Sequence, residues 1–289
     1  SKAFIMKHFI VSLALLATLI ACDVIEGDPR EDFVSPPEDT TSTRNVLLED
    51  FTGQLCGNCP VAAEEAKRLE QAYGSDRLVV VAIHVGSLAA PSPPKYPREF
   101  RSPTGNDVDN LFRVSAVGIP QGMVNRVERN GRRVFTRGQW AAAIQDQFRV
   151  KPVVEIEAAA TYDSTTRQIV VDASVLYKQR GSADYRLVAM LVENGIVGYQ
   201  KDYRKTPSDV ENSRFDHLLR TSLSSTWGDA LSEYDVPADQ RIRRTIRYTV
   251  PADVDWMIEN CDIIVYVHRH NSTREVLQVV KIKPVLQKS

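Results

Sequence analysis

The chain has 289 residues, of which 43% are hydrophobic and 25% are charged, so it has the composition of a folded protein and the length of about two domains. Lysine and arginine total 36 against 37 acidic residues, which leaves no net field to attract nucleic acid or an acidic membrane surface. These values exclude a disordered or fibrous chain and argue against a nucleic-acid-binding protein.

The N-terminal segment predicts export from the cytoplasm. Met6 is interpreted as the natural start, two basic residues follow it, and residues 9–21 form an apolar run of 13 residues. Because a membrane-spanning helix needs about 20 residues, this run is too short to span a bilayer. We therefore interpret residues 1–21 as a cleaved signal peptide.

The end of this run, Leu19-Ile20-Ala21-Cys22, resembles the lipobox of bacterial lipoproteins, whose cysteine is joined to diacylglycerol. The resemblance implies cleavage before Cys22 and a stable lipid anchor on its thiol, which tethers the chain to a membrane. The alternative is a secreted protein with Cys22 free. Residues 23–44 are acidic and poor in apolar side chains, so residues 22–44 are predicted to form the anchor and a flexible tether.

Cys56 and Cys59 lie between a predicted strand at 45–51 and a predicted helix at 57–73. A cysteine that opens a helix lies beside unpaired N–H groups and the positive end of the helix dipole, which favour its thiolate. Such a pair can cycle between dithiol and disulfide, with Cys56 attacking a substrate disulfide and Cys59 releasing it. A permanently closed structural disulfide and half of a zinc site are the alternatives. Zinc needs about four ligands and no second Cys-x-x-Cys exists, so we predict no metal.

The next elements continue an α/β pattern up to residue 150. They are a strand at 78–85, a proline-rich irregular segment at 86–103, a short helix near 107–113, strands at 123–128 and 133–136 around an Asn130-Gly131 turn, and a helix bearing Trp140. A βαβ unit followed by a β-hairpin and a terminal helix is the layout of thioredoxins.

The motifs in these elements carry a resemblance. Cys56-Gly57-Asn58-Cys59 after its strand is similar to the thioredoxin active-site motif, and Gly118-Ile119-Pro120 is similar to the thioredoxin cis-proline loop. With its lipobox, Glu49-Asp50-Phe51, Val124-Asn125-Arg126 and a β-rich tail, the chain more closely resembles the twenty-eight-kilodalton outer-membrane protein family of thioredoxin-like lipoproteins. The resemblance implies a thioredoxin-like domain over 45–150. It also implies the outer membrane of a Gram-negative bacterium, on the periplasmic face or the cell surface.

The thioredoxin pattern implies roles for five residues. Cys56 is the nucleophile and Cys59 the resolving thiol, and the two form the disulfide of the oxidised state. Asp50 is the buried carboxylate that accepts a proton from Cys59, a role that burial assists by raising its pKa. Ile119 and Pro120, with a cis bond between them, bind an extended substrate segment. The alternatives are an exposed strand-edge Asp50 and an ordinary trans turn at Pro120.

Three features depart from the thioredoxin pattern or leave it open. Leu55 and Gln121 replace the tryptophan and threonine that thioredoxins usually carry there, which leaves substrate recognition open. Gly57-Asn58 carries no charge, so the direction of electron flow is not predicted. His84 ends a core strand near the expected site, either as a packed neutral histidine or as an acid–base group.

Beyond residue 151 the pattern changes to alternating apolar and polar residues, which predicts strands on both sides of a long segment at 201–240. Since few crossover helices are predicted, an all-β antiparallel sandwich over 151–289 is the economical fold. The long segment is predicted to contain a short helix at 217–223 and to act as a binding loop or as an inter-domain pad.

Two further groups are weak candidates for chemistry. His268 and His270 share one strand face, but a single His-x-His is poor evidence for a metal site. Cys261 lies in an apolar neighbourhood and is predicted to be a buried small hydrophobe, with a third redox partner as the alternative.

Two functions follow from these features. The first is a membrane-anchored thiol–disulfide oxidoreductase that acts on exported or surface proteins through Cys56 and Cys59. The second is a non-enzymatic surface lipoprotein for binding or adhesion, in which the 56/59 disulfide is structural. Neither requires a cofactor or nucleic acid, and the sequence does not predict an oligomeric state.

Overall fold

The computed structural model describes residues 43–287. The predicted signal peptide, the predicted lipidation site Cys22 and most of the predicted tether lie outside the described residues. The first part of the described chain forms β1 (Val46–Thr52), α1 (Cys59–Tyr73), β2 (Leu78–His84), α2 (Pro103–Phe112), α3 (Val114–Val117), β3 (Gln121–Val124), β4 (Val134–Phe135) and α4 (Arg137–Phe148).

The second part is built from strands. They are β5 (Val154–Asp163), β6 (Gln168–Tyr177), β7 (Tyr185–Glu193), β8 (Ile196–Lys201), β9 (Asp209–Phe215), β10 (Leu218–Ser222), β11 (Asp229–Ala230), β12 (Arg241–Thr249), β13 (Cys261–Arg269), β14 (Val276–Ile282) and β15 (Pro284–Gln287). Across residues 43–287, no helix is both long enough and apolar enough to cross a membrane.

The first part contains a βαβ unit. β1 and β2 are parallel and α1 connects them, while β3 pairs antiparallel with the other edge of β1 and with β4. Every residue of β1 is buried, as expected for a strand covered on both faces. In α1, Pro60 occupies the first turn, where its missing N–H breaks no helical hydrogen bond, and the helix ends at Gly74 with φ of 88°.

One large sheet joins the two parts of the chain. Its order is β14-β13-β7-β10-β2-β1-β3-β4, with β11 beside β7. The described residues thus form one compact unit, and strands from both sides of residue 151 share this sheet. The division into separate domains at 150/151 stays a prediction.

The junction between the two parts is β10, where the sequence predicted a helix. The helix prediction at 217–223 was wrong, because Leu218 pairs with Ala82 of β2 and the segment pairs antiparallel with β7. The N–H of Ala82 also donates to the carbonyl oxygen of His217 at 2.8 Å. Two adjacent leucines fit a helix or a strand equally well, so the open edge of β2 decides the outcome.

A second sheet with the order β12-β6-β5-β15 packs on β7, β13 and β14 through a large apolar cluster. The fold is therefore mostly β with mixed sheets, and the predicted sandwich is present as a pair of layers. The wholly antiparallel arrangement was wrong, since β15 runs parallel to β5. A single residue, Lys283, separates β14 from β15, so the chain passes from one sheet to the other without reversing.

Two buried arginines make ion pairs inside the fold. Arg44, predicted as the last residue of the tether, is instead buried and donates to Glu275 at 2.8 Å and to the carbonyl oxygen of Val276. Arg126 binds both carboxylate oxygens of Glu49 at 2.6 and 2.9 Å, with both side chains essentially unexposed. The segments Glu49-Asp50-Phe51 and Val124-Asn125-Arg126 are thus joined by one bidentate ion pair.

Candidate functional site

Cys56 and Cys59 form a disulfide between the end of β1 and the start of α1, with an S–S distance of 2.11 Å. The predicted disulfide is therefore confirmed. Helix α1 begins at Cys59, whose N–H donates to the carbonyl oxygen of Cys56 at 3.2 Å. Cys59 thus occupies the first turn, and the disulfide bond holds Cys56 at the same helix end.

Neither sulfur is open to solvent. Cys56 is 3% exposed and Cys59 is 1% exposed, although the predicted role of Cys56 as nucleophile needs access to a substrate. A β-hairpin, formed by β8, β9 and the loop between them, lies over the cysteine motif. Its loop and β9 fall within the long segment predicted at 201–240, whereas β8 precedes that segment.

Hydrogen bonds attach this hairpin to the backbone of the cysteine motif. The N–H of Lys201 donates to the carbonyl oxygen of Gln54 at 2.9 Å, and the N–H of Tyr203 donates to that of Gly57 at 3.0 Å. The side-chain amide of Gln200 donates to the carbonyl oxygen of Cys56 at 3.1 Å. Three carbonyl groups on this side of the motif are therefore occupied by the chain itself.

Side chains at the hairpin tip complete the cover. A Cβ atom on Gly57 would lie 2.4 Å from the ring of Tyr203, so the glycine allows the ring to lie directly on the motif. Arg204 makes bidentate contacts with Glu64 of α1 at 2.7 and 2.8 Å, and it also binds Asp202 at 2.7 Å. The hydrogen bonds from Arg204 hold the pKa of Glu64 below its ordinary value. The tip is thus anchored on the helix that carries Cys59.

Asp50 lies in the middle of β1, opposite Ala82 of β2 and Gly122 of β3. Its side chain is buried as predicted, and its Oδ1 has no hydrogen-bond partner among the described residues. Burial raises the pKa of Asp50 from 3.8 to about 7. A carboxyl group in this state can take up or release a proton near neutral pH.

The proline loop lies against the disulfide. The Ile119–Pro120 peptide bond is cis, and the carbonyl oxygen of Ile119 lies 3.7 Å from Cys56 Sγ. Both residues of the loop are half-buried. The structure therefore brings together the four predicted positions Cys56, Cys59, Ile119 and Pro120.

His84 is enclosed at the end of β2. Its ring packs against Phe100 and Phe215, with centroid distances of 5.3 and 5.8 Å, and neither ring nitrogen has a hydrogen-bond partner among the described residues. Burial, assisted by the charge of Arg220, lowers the pKa of His84 to about 3. His84 is therefore a neutral packed histidine, as one of its two interpretations expected.

A cleft lies between α1 and the hairpin and has a volume of about 760 Å³. We call it the α1 cleft. Cys59, Asp50 and His84 line it together with residues of the hairpin. Glu70 and His217 also line it, and His217 Nε2 lies 3.2 Å from a carboxylate oxygen of Glu70.

The remaining candidates lie apart from this site. His268 is buried and its Nε2 donates to the carbonyl oxygen of Trp227 at 2.9 Å, and within residues 43–287 no group of side chains has the arrangement of a metal site. Cys261 is fully buried, which raises the pKa of its thiol to about 12. It is therefore a core residue, as predicted.

Sequence reasoning missed the residues that cover the motif, namely Gln200, Tyr203 and Arg204. For Tyr203 and Arg204 the length of the segment at 201–240 was the available signal, but nothing in it indicated which surface the segment would cover. Gln200 lies just before that segment and had no such signal. The alternation of β8 and β9 is short and interrupted by a register shift near Gln200, so the hairpin has a weak pattern.

Comparisons with known proteins give the following relationships. The family described as outer membrane protein Omp28 matches residues 107–288. The structure of HBP35 of Porphyromonas gingivalis is similar with a TM-score of 0.60 and 17% identity, covering 84% of this chain and 76% of that chain. A domain of the outer membrane lipoprotein Omp28 from Porphyromonas gingivalis matches with a TM-score of 0.29 and 18% identity, covering 47% of this chain and 92% of that chain. No curated protein matches this chain.

Proposed function

The chain belongs to the Omp28 family of outer membrane proteins, and on that premise we propose that it is a thiol–disulfide oxidoreductase of the outer membrane that works through Cys56 and Cys59. The family match covers residues 107–288 and so leaves the disulfide outside it. The proposal therefore depends on the geometry around the two cysteines.

The observation that carries the proposal is the unpartnered carboxyl group of Asp50. A buried polar atom without a hydrogen-bond partner costs stability, and such atoms are rare in folded proteins. A purely structural disulfide has no use for a buried carboxyl group that lines the same cleft as one of its cysteines. In an exchange site such a group can act as the base, since the resolving cysteine must lose its proton before it attacks.

In the reducing direction, the chemistry starts from the dithiol state, and the oxidising direction is its reverse. The Cys56 thiolate attacks one sulfur of a substrate disulfide, which forms a mixed disulfide and releases the other substrate sulfur as a thiolate. Cys59 then transfers its proton to Asp50 and attacks Cys56 Sγ. The Cys56–Cys59 bond forms, the second substrate thiolate leaves, and two electrons have passed to the substrate.

Three features support a thioredoxin-like assignment for residues 45–150. They are the parallel βαβ unit, the cysteine pair at the start of α1, and the Ile119–Pro120 loop beside Cys56. In this assignment the backbone of Ile119 and the ring of Pro120 contact an extended substrate segment. The hairpin must first leave the motif, because Tyr203 and Gln200 occupy the carbonyl groups beside the sulfurs.

Anchorage completes the proposed function. Lipid on Cys22 holds the protein at the outer membrane, and the acidic tether that follows lets the folded part reach exported or surface proteins. The periplasmic face and the cell surface are both compatible with this arrangement.

An exchange assay on the purified protein tests the proposal. We expect the protein to reduce a disulfide-bonded protein substrate when a dithiol is supplied, and we expect Cys56→Ser to abolish this turnover. Cys59→Ser should accumulate a mixed disulfide between Cys56 and the substrate. Cys261→Ser is the matched control and should retain turnover, because Cys261 is buried away from the site. Equal turnover by Cys56→Ser and the unmodified protein would rule the proposal out.

One observation favours a second candidate function. Cys56 and Cys59 are 3% and 1% exposed beneath the hairpin, which is the setting of an inert structural disulfide. In that case the chain is a non-enzymatic surface lipoprotein for binding or adhesion. Reduction would then lower its stability by about 2 kcal/mol, as expected for a disulfide that closes so short a loop, without any exchange activity.

A further inference from the structure

The α1 cleft is large enough to hold a ligand of its own. It follows α1 from Cys59 to Glu70, which is about 16 Å along the helix axis at the usual rise per residue. Its volume of about 760 Å³ lies within the range of small-molecule sites. The exposed residues Ala63, Glu64 and Lys67 lie along the rim, so the cleft opens to solvent.

The floor of the cleft presents polar atoms that the protein leaves unused. Asp50 Oδ1 and both ring nitrogens of His84 are buried without hydrogen-bond partners among the described residues, and both side chains line the cleft. His84 is 3% exposed and Asp50 is 2% exposed. Because an unpartnered buried acceptor is unfavourable, a ligand that donates hydrogen bonds to Asp50 is stabilised at this position.

Among the described residues, one carboxylate and two lysines that line the cleft have no ion-pair partner. Six carboxylate and five lysine or arginine side chains line it. Five of the six carboxylates lie in ion pairs, namely Glu64–Arg204, Asp202–Arg204, Glu70–Lys281, Asp216–Arg214 and Asp262–Lys283. The remaining carboxylate is Asp50. Among the described residues, neither Lys67 nor Lys205 has a carboxylate within 4.0 Å.

We propose that the α1 cleft binds a short peptide with a free amino group and a free carboxylate. The ammonium group contacts Asp50 and an unprotonated nitrogen of His84 on the floor. The carboxylate lies toward Lys67 and Lys205 at the rim. The charges at the two ends match Asp50, Lys67 and Lys205, which have no ion-pair partner within residues 43–287. The length of the cleft exceeds that of a single amino acid.

The apolar part of the lining suits the middle of such a ligand. Phe215 and Val80 line the cleft together with the polar groups, and the small side chains of Ala63 and Ala66 line it on the helix. These side chains can contact small or apolar side chains of the peptide and do not select a particular residue type. The two termini of the peptide are therefore expected to determine its affinity more than its sequence.

Isothermal titration with tri-alanine tests the inference on the intact protein with its disulfide closed, so the result does not depend on exchange activity. We expect saturable binding of tri-alanine and none of N-acetylated, C-amidated tri-alanine, which has the same length without the terminal charges. Equal binding of the two peptides would overturn the inference. So would the absence of saturation by tri-alanine up to about 10 mM.

Two variants locate the site. Asp50→Asn should weaken tri-alanine binding by about tenfold or more, the effect of losing one charge-assisted hydrogen bond. The double variant Lys67→Ala/Lys205→Ala should weaken it in the same direction, and both lysines are exposed, so the fold is retained. Arg68→Ala is the matched control, because Arg68 lies on α1 outside the cleft and should leave binding unchanged. Unchanged binding by Asp50→Asn and by the double lysine variant would place the peptide elsewhere and refute the assignment.

Discussion

The backbone N–H of Tyr203 donates a hydrogen bond of 3.0 Å to the carbonyl oxygen of Gly57, one of the two residues between the cysteines. A segment from the β-rich half of the chain therefore occupies backbone groups of the cysteine motif. A protein substrate would need to reach that backbone to exchange with Cys56. Access to the disulfide is expected to depend on how often the hairpin opens.

Gly57→Ala tests this dependence. The added Cβ would meet the Tyr203 ring at 2.4 Å, so the ring must move away from the motif. We expect dithiothreitol to reduce the Cys56–Cys59 disulfide about fivefold faster, as if opening had become easier by roughly 1 kcal/mol. The rate is measured by quenching with a thiol-alkylating reagent and by mass spectrometry. Gly138→Ala is the control, since a Cβ on Gly138 meets no atom within 4 Å. An unchanged rate in Gly57→Ala would show that the hairpin does not limit access.

Removing the anchor of the hairpin tip should act in the same direction. Arg204→Ala deletes the contacts with Glu64 and Asp202. Because the Arg204–Glu64 pair is exposed and Arg204 itself is 41% exposed, each pair is worth about 1 kcal/mol or less. A smaller acceleration of disulfide reduction is therefore expected than for Gly57→Ala. Arg180→Ala breaks an exposed pair with Asp235 outside the α1 cleft and should leave the rate of reduction unchanged. Slower reduction in Arg204→Ala would contradict this account of the cover.

Asp50→Asn should change how stability depends on pH. The folded pKa of Asp50 is raised from 3.8 to about 7, so the folded state holds a proton that the unfolded state releases between these values. Ionisation of the Asp50 carboxyl therefore lowers the free energy of unfolding by at most about 4 kcal/mol as the pH rises from about 4 to about 7. Urea unfolding at pH 5 and pH 8 should show Asp50→Asn gaining stability relative to the unmodified protein as pH rises. His84 is present in both proteins, so its own titration cancels in the comparison. A difference that is the same at both pH values would mean that Asp50 does not have a raised pKa.

The buried ion pair between Arg126 and Glu49 should be strongly structural. Arg126→Met leaves the Glu49 carboxylate buried without its cation, and we expect a loss of about 3–5 kcal/mol in the free energy of unfolding. The double variant Glu49→Met/Arg126→Met removes both charges and should recover much of that loss. Arg129→Ala breaks a half-exposed pair with Asp146 and should change the free energy by about 1 kcal/mol or less. A small effect of Arg126→Met, measured by urea unfolding, would contradict this account of the pair.

Cys261 should be unreactive in the folded protein. Burial raises the pKa of its thiol to about 12, so almost no thiolate is present near neutral pH. Peptide mapping after treatment with iodoacetamide should find Cys261 alkylated in urea but not in buffer. Rapid alkylation in the folded protein would reopen its alternative role as a third redox partner.

The parts of the fold that the sequence predicts are those with local signals. The strand with Asp50, the motif at Cys56 and Cys59, and the loop at Pro120 each have a residue pattern that identifies them before any contact is known. Helix α1 also has clear ends, at Pro60 and Gly74. These elements could be predicted because their conformations depend on neighbours in the chain.

The missed parts depend on distant pairings. Leu218 pairs with Ala82 of β2, which lies more than a hundred residues earlier in the chain, and with Glu193 of β7. These pairings make the segment a strand where a helix was predicted. Tyr203 covers Gly57 through a backbone hydrogen bond, which no side-chain pattern reveals. The tether prediction failed at Arg44 because its partner, Glu275, lies 231 residues away.

The reduction potential of the Cys56–Cys59 pair tests the central proposal most directly. Equilibration in thiol–disulfide buffers of known potential, followed by alkylation of free thiols and mass spectrometry, measures the fraction reduced at each potential. An exchange function predicts a midpoint between about −120 and −270 mV, the range of working oxidoreductases. A midpoint below about −300 mV, the range of permanent structural disulfides, would contradict it.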